Sequence, residues 1–371
     1  MFKNLTSLFQ WERKTFEAFQ IEVSTYSSLP CQICPRDVFA EQWIFRNMDM
    51  EIFQKIARHF HLAKWVIFQG WGEPLENEDI IPMLRVAKEA RCSTGLVTNG
   101  FHLTETTSRQ LLAENLDFLL VSLQGASQAG SEELSPGSDG HRILDQVRGL
   151  VDLKKAGQRR RPFIKLSFFM TRLNMGKLPA LVPLAAKAGA DEVIFTNLDY
   201  LPEERWNILR SFHHESPTPA FRESIEEIHR LGKKLKIKVE TYPLKAEEKP
   251  VCKANPPQKV FIAADGSIAP CMYLRLPKEG KLPRIFLNKE YQVPQTFFGN
   301  IHEEDFLEIW NKEPYKKFRK IFEDRRQANE AQVQILDALI HRTPSTLGKE
   351  SSLPFPALSE VCQTCYKAYG I

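Results

Sequence analysis

Short apolar runs alternate with amphipathic stretches along the first two thirds of the chain. The runs are FQIEVS (19–24), KWVIFQ (64–69), TGLVTN (94–99), FLLVSL (118–123), FIKLSFFM (163–170) and EVIFTN (192–197). Most are continuously apolar rather than alternating, the pattern of parallel strands covered on both faces. Between them, apolar positions recur at helical spacing over 50–59, 79–90, 108–115, 142–155 and 179–188. A further helical pattern at 221–231 leads into KLKIKVET (234–241). Repeated strand–helix units predict an α/β fold with a parallel sheet, open or curled into a partial barrel.

The pattern changes after about residue 245, where Pro and Lys become frequent. KVFIAADGSIAPCMYL (259–274) reads as a hairpin turning at Asp265-Gly266, because Asp-Gly supplies the positive φ of a tight turn. Helices are expected at 303–311 and 315–323, and 328–359 reads as an inserted helix with a Pro/Ser-rich loop. Two regions are predicted, 1–245 and 246–371.

Of 371 residues, 43% are hydrophobic and 26% charged, a mixture able to bury a core. The net charge of +4 (50 − 46) is too small for a nucleic-acid footprint. No run approaches the roughly 20 apolar residues that span a bilayer. The first twenty residues carry no apolar signal-peptide core, so a cytoplasmic protein is expected. In a reducing compartment its seven cysteines point to metal or redox chemistry rather than disulfides. Cys92 stands alone and reads as a small buried residue. The others fall in three groups: Cys31 and Cys34, Cys252 and Cys271, Cys362 and Cys365.

Parallel βα proteins bind ligands at the carboxyl ends of their strands, and the unusual residues sit there. TYSSLPCQICPRD (25–37) follows the first run, QGWGEP (69–74) the second, TNG (98–100) ends the third and SLQG (122–125) the fourth. Gly70 and Gly72 allow a close backbone approach to a ligand, and Glu73 offers a carboxylate to an ammonium group. His59 and His61 read as partners of a helix end, His102 as solvent-exposed, and Arg159-Arg160-Arg161 as a solvated loop.

In this order the motifs resemble the radical S-adenosylmethionine (SAM) superfamily over about 19–197. Cys252, Gly266-x4-Cys271, FGNIHEEDFLEIW (298–310) and Cys362-x2-Cys365 resemble its SPASM-type auxiliary-cluster domain. The resemblance implies a partial (β/α)6 TIM-like barrel (1–245) with a small C-terminal iron–sulfur domain (246–371). It implies a C-x3-C-x2-C loop holding a [4Fe–4S] cluster with one iron open to SAM. SAM is then cleaved to a 5′-deoxyadenosyl radical that abstracts hydrogen from a substrate. Cys31 and Cys34 take ligand positions; Gly70, Gly72 and Glu73 face the methionine ammonium group; Asn99 and Ser122 face the ribose or carboxylate; Tyr26 and Ile33 are candidates to cover the adenine. Cys252, Cys271, Cys362 and Cys365 supply four thiolates for a fully ligated auxiliary cluster. A four-cysteine zinc site shares this spacing, and the SPASM resemblance favours iron. The implied function is modification of a peptide or protein, or maturation of a cofactor, with a peptide or protein substrate and an electron donor such as flavodoxin or ferredoxin. No membrane or nucleic-acid partner is implied.

Ser27 departs from this pattern by occupying the first-cysteine position. A hydroxyl is a hard, poor ligand for iron–sulfur chemistry. Three readings follow: a variant or engineered form of an active enzyme, a labile cluster completed by Ser27 or an outside ligand, or a non-catalytic iron–sulfur scaffold.

Overall fold

Seven parallel strands form where the apolar runs predict them: β1 (Phe16–Ile21), β2 (Ala63–Phe68), β3 (Ser93–Thr98), β4 (Phe118–Ser122), β5 (Phe163–Met170), β6 (Glu192–Asn197) and β7 (Lys238–Thr241). The computed structural model describes residues 14–31, 33–123, 140–213, 217–340 and 355–371. Helices α1 (Pro35–Val38) and α2 (Met50–Ala57) separate β1 from β2. Then α3 (Ile80–Glu89), α4 (Glu105–Ala113), α5 (Gly140–Ala156), α6 (Leu181–Ala188) and α7 (Pro219–Leu235) each precede the next strand. The strands pair in chain order, giving the expected partial barrel of six βα units, closed on one edge by β7. Among the described residues no helix is long and apolar enough to cross a membrane.

β2, β3 and β4 differ from their predicted limits by one residue, and β1 and β7 by more. β1 starts three residues before the predicted 19, because Phe16 packs edge-on against Trp310 at 4.7 Å and Phe19 against Phe306 at 5.0 Å. β7 is only four residues long, because α7 continues to Leu235 and Lys236 ends it with a left-handed φ of 56°. At the amino ends of the strands, buried Glu192 accepts from Lys165 at 2.9 Å and Lys238 at 2.6 Å. This ion cluster forms the barrel floor and compensates a charge that burial would otherwise penalise.

The C-terminal region continues the same sheet. Its hairpin consists of β8 (Lys259–Ile262) and β9 (Ser267–Ala269), with Gly266 at φ +81°. β8 pairs in parallel with the free edge of β1, Ala18 opposite Lys259. β9 and, further out, the short β12 (Gly299–Asn300) extend the sheet to ten strands. β10 (Leu282–Phe286) and β11 (Lys289–Val293) form a separate antiparallel pair. Helix α8 (Phe306–Trp310) begins with a capping box of Asp305 and Glu308 and buries Phe306 and Ile309. The Asp305 carboxylate also lies 3.0 Å from Nε2 of His59, so that histidine joins barrel to C-terminal region. Helix α9 (Glu313–Ile340) is 28 residues long and includes the start of the predicted insertion; residues 341–354 lie outside the described residues. A short α10 (Glu360–Gln363) carries Cys362.

Candidate functional site

A cavity of about 500 Å³ opens at the carboxyl ends of the strands. Alternate residues point into it, as strand geometry requires: Ile67 and Gln69, Val97 and Asn99, Leu120 and Ser122, Ser167 and Phe169. Ser122 is level with Ser167 across the β4–β5 ladder. Ser27, Cys31 and Cys34 face the same space, as do Gly70, Gly72 and Glu73. Ile33 also lines it and is buried, whereas Tyr26 is 42% exposed and packs on Phe45 outside it. Gln124 and Gly125 of SLQG lie outside the described residues.

The cysteine loop is held by its own side chains. The buried Arg36 guanidinium donates to the carbonyls of Ser27 (2.8 Å) and Leu29 (2.6 Å) and to Asp37 Oδ1 (2.7 Å). Asp37 Oδ2 accepts from the Cys31 amide, and the Cys34 amide donates to the Cys31 carbonyl at 2.9 Å. Ser27 Oγ accepts from Asn99 Nδ2 at 3.3 Å. Burial, reinforced by Cys31 beside it, pushes the Cys34 thiol up to about 12; such a thiol keeps its proton until a metal displaces it. The loop therefore presents two thiols and one hydroxyl. That donor set is one thiolate short of what a three-thiolate cluster needs.

The Gly70–Pro74 turn lines the cavity and also packs closely against the chain behind it. A Cβ on Gly72 would lie 2.3 Å from the Ser24 carbonyl oxygen and 2.6 Å from the Thr25 backbone; one on Gly70 would lie 2.3 Å from Glu22 Cγ. The missing side chains admit the root of the cysteine loop. Glu73 is buried and accepts three hydrogen bonds: Oε1 from Thr98 Oγ1 (2.7 Å) and the Leu75 amide (3.0 Å), Oε2 from the Asn99 amide (2.7 Å). Burial raises its pKa even against these bonds. Through these bonds the carboxylate fastens the second loop to the third while the residue lines the cavity.

Glu22 lies beneath the turn, 1% exposed, accepting from the Trp71 amide at 2.7 Å and the Ala264 amide at 3.3 Å. Burial raises its pKa from 4.5 to about 7. The folded protein therefore holds this proton more tightly than the unfolded chain. Stability from this group is full below about pH 4.5 and declines as pH rises to about 7, by a total on the order of 3 kcal/mol. Urea midpoints measured from pH 5 to 8 should fall more steeply for wild type than for Glu22→Gln. Equal slopes would show that Glu22 does not titrate in this range.

Cys252, Cys271, Cys362 and Cys365 meet in one pocket whose other walls include Ala254, Pro256, Leu274, Phe318 and Phe322. Burial raises all three thiols Cys252 (to about 11), Cys271 and Cys362, and Cys365 beside each adds to the rise. Yet among the described residues no three His, Cys, Asp or Glu side chains converge closely enough for a single ion. Tetrahedral zinc at about 2.3 Å from each sulfur draws its thiolates to about 3.8 Å of one another. Four cysteines that share one apolar pocket supply the thiolates of a fully ligated iron–sulfur cluster.

Between the two cysteine sets stands a group that sequence reasoning passed over. Asp199, two residues beyond β6, pairs with the ammonium of Lys367 and accepts from Tyr273 Oη at 3.1–3.2 Å. All three line the cavity. Burial lowers the pKa of Lys367, but Asp199, Tyr242 and Cys365 together outweigh it and the net shift is upward. Asp199 is signalled by its place just past a strand's carboxyl end; nothing local marks Lys367. Among the bland readings, Cys92 is buried with its thiol donating to the Phe60 carbonyl at 3.1 Å. His61 Nδ1 lies 2.9 Å from the Arg58 carbonyl, and His102 Nε2 lies 3.0 Å from Glu76. Arg159 is more than a solvated charge, donating to the Leu112 carbonyl at 2.6 Å.

Residues 21–166 match the family model of the radical SAM superfamily, and 252–333 that of the SPASM iron–sulfur cluster-binding domain. The chain is 26% identical over 311 residues to the tungsten-containing aldehyde ferredoxin oxidoreductase cofactor-modifying protein of Pyrococcus furiosus, covering 81% of this chain and 82% of that one. It is 24% identical over 262 residues to the PqqA peptide cyclase of Gluconobacter oxydans, covering 68% of this chain and 65% of the cyclase. SuiB of Streptococcus suis bound to SAM superposes with a TM-score of 0.59 at 18% identity, over 83% of this chain and 68% of SuiB. SuiB bound to its precursor peptide SuiA gives 0.58 at 16% identity, over 98% of this chain and 73% of that one. The two family models carry SAM and [4Fe–4S] clusters as cofactors. The two family matches, the first spanning Cys31 and Cys34 and the second Cys252 and Cys271, place this chain in the radical SAM superfamily as a member with a SPASM iron–sulfur domain.

Proposed function

We propose that the chain is a SAM-dependent radical enzyme that modifies a peptide or protein side chain in the cavity between its two cysteine sets. Ser27 restrains its first cluster. The observation that carries this reading is the convergence of the cysteine loop, the Gly70–Glu73 turn, Asn99 and Ser122 on a single cavity. The peptide cyclase among its relatives and the peptide-bound SuiB fold support a peptide substrate; the cofactor-modifying relative keeps cofactor maturation as the neighbouring possibility.

Each set of residues has a distinct part. Cys252, Cys271, Cys362 and Cys365 would hold the auxiliary cluster, and Cys31 and Cys34 two corners of the first. When reduced, the first cluster supplies the electron that cleaves SAM. The Gly72–Glu73 backbone and Asn99 bind SAM at the loop that Glu73 fastens. Ser122 and Ser167 orient its polar groups. Asp199, Lys367 and Tyr273 form the polar wall facing the substrate, and the apolar lining excludes water. A flavodoxin or ferredoxin is the electron donor in this reading.

The test is anaerobic incubation of Ser27→Cys with SAM and a strong reductant. It should release 5′-deoxyadenosine at least about a hundredfold faster than wild type, a loss of about 2.7 kcal/mol when the thiolate is replaced. A Ser27→Cys protein that gains the first cluster yet leaves SAM intact would favour the scaffold reading instead.

A further inference from the structure

A second pocket, of about 640 Å³, lies outside the main cavity beyond the carboxyl ends of β5 and β6. Its walls include Arg172, Glu204, Arg205, Ile208, Arg210 and Asn288. We propose that it binds the carboxylate side chains of an acidic segment of the peptide substrate. The substrate class rests on the function proposed above; the anion site rests on the pocket itself.

Arg210 is the central observation. Its side chain is nine-tenths buried, and its guanidinium donates to the hydroxyl of Tyr366 and, at 3.1 Å, to Asn288 Oδ1. Both acceptors are neutral. Its Nε is buried without a partner, and among the described residues no carboxylate pairs with it. A buried guanidinium is costly unless an anion completes it, and this one lines an open pocket. Arg172 stands beside it, exposed and without an ion pair among the described residues. Arg205 pairs with Glu203 and lies over the Trp206 ring at 4.8 Å.

The shape of the charge selects the ligand. Guanidinium forks match a planar carboxylate. Glu204 on the same rim would repel a doubly charged phosphate more strongly than a single carboxylate. Ile208, 70% exposed, lines the same pocket and offers an apolar contact that a free ion would not use and a peptide would. The Tyr366 that receives Arg210 is next to Cys365 in the chain and packs with Cys31 and Ile33 in one apolar cluster. A peptide anchored here is therefore tethered beside the cavity mouth.

The test is fluorescence anisotropy of the full chain with a labelled peptide of alternating Glu and Leu, and with its Gln-for-Glu counterpart. The acidic peptide should bind more tightly and weaken with salt. Arg172→Glu should lose at least about tenfold in affinity. Arg210→Gln should lose as much, with Arg172→Glu guarding against a folding defect in that buried variant. Cluster content and SAM binding should stay at wild-type levels in Arg172→Glu. Equal affinity of wild type and Arg172→Glu overturns the proposal. So does an arginine-dependent affinity for inorganic phosphate with none for the peptide, which would make this a free-oxyanion site. None of these readouts uses SAM cleavage, so failure of the radical reading leaves the anion site to stand or fall alone.

Discussion

Reconstituted without oxygen, the wild-type chain should hold about four irons and Ser27→Cys about eight. Only the C-terminal cysteines form a complete thiolate set, while the first loop stops at Cys31 and Cys34. Its third position is already in place, since Ser27 faces the same cavity and touches Asn99; exchanging oxygen for sulfur changes the donor without moving the loop. Cys271→Ala in the wild-type background should lose the iron–sulfur absorbance altogether. Cys252 and Cys365 are 113 positions apart (365 − 252), and closing loops of that length costs entropy that metal binding offsets. Cys271→Ala should therefore be cut faster by protease within 245–371. The loosening should also reach β1, because β8 lies on its edge and Phe306 on Phe19. Two stable clusters in wild type, seen by iron analysis and Mössbauer spectroscopy, would overturn the account of Ser27. Zinc in place of iron would overturn the auxiliary cluster.

The second large effect is expected from one methyl group. Gly72→Ala should lower Tm by about 1–4 °C and weaken SAM binding at least about tenfold in the Ser27→Cys background. The new Cβ meets backbone, the Ser24 carbonyl oxygen at 2.3 Å and Thr25 at 2.6 Å, which no rotamer change relieves. Overpacking of this kind costs about 1–3 kcal/mol. The strain falls two residues before Ser27, so the cysteine loop must shift with it. Gly176→Ala is the control, with nothing within 4 Å of its added Cβ. Calorimetric titration with SAM and a thermal melt decide the matter; if both match wild type, Gly72 is not a packing point of the site.

Much of the barrel is visible in the sequence because its signals are local. β5 and β6 begin and end at the predicted residues, since both are mainly apolar, β-branched or aromatic runs flanked by polar or glycine-bearing segments. Helix α9 was also legible in principle: no Gly or Pro interrupts the chain from 315 to 343, yet its charged composition suggests a shorter helix. The site residues converge because strand ends converge, but their roles depend on neighbours far along the chain. Glu73 reads as a lone carboxylate, and its bonds to Thr98 and the Asn99 amide are invisible in the sequence. The two glycines read as room for a ligand, and their close packing on Glu22 and Ser24 is equally invisible. The Asp199–Lys367 pair joins positions 168 apart (367 − 199), a relation that no window of sequence contains.

The pairing of β1 with β8 sets an order on synthesis. Ala18 and Lys259 are 241 positions apart (259 − 18). At about 5–20 residues per second, β1 leaves the ribosome some ~10–50 s before β8 exists. During that interval β2 covers one side of β1, and the other side presents unpaired amides and carbonyls beside Phe16 and Phe19. Such an edge is a template for pairing with a foreign strand. The nascent chain is thus most prone to aggregate after the barrel is made and before the auxiliary hairpin emerges. Truncation before residue 259 should leave a barrel that aggregates unless chaperones are present, whereas the full chain should not.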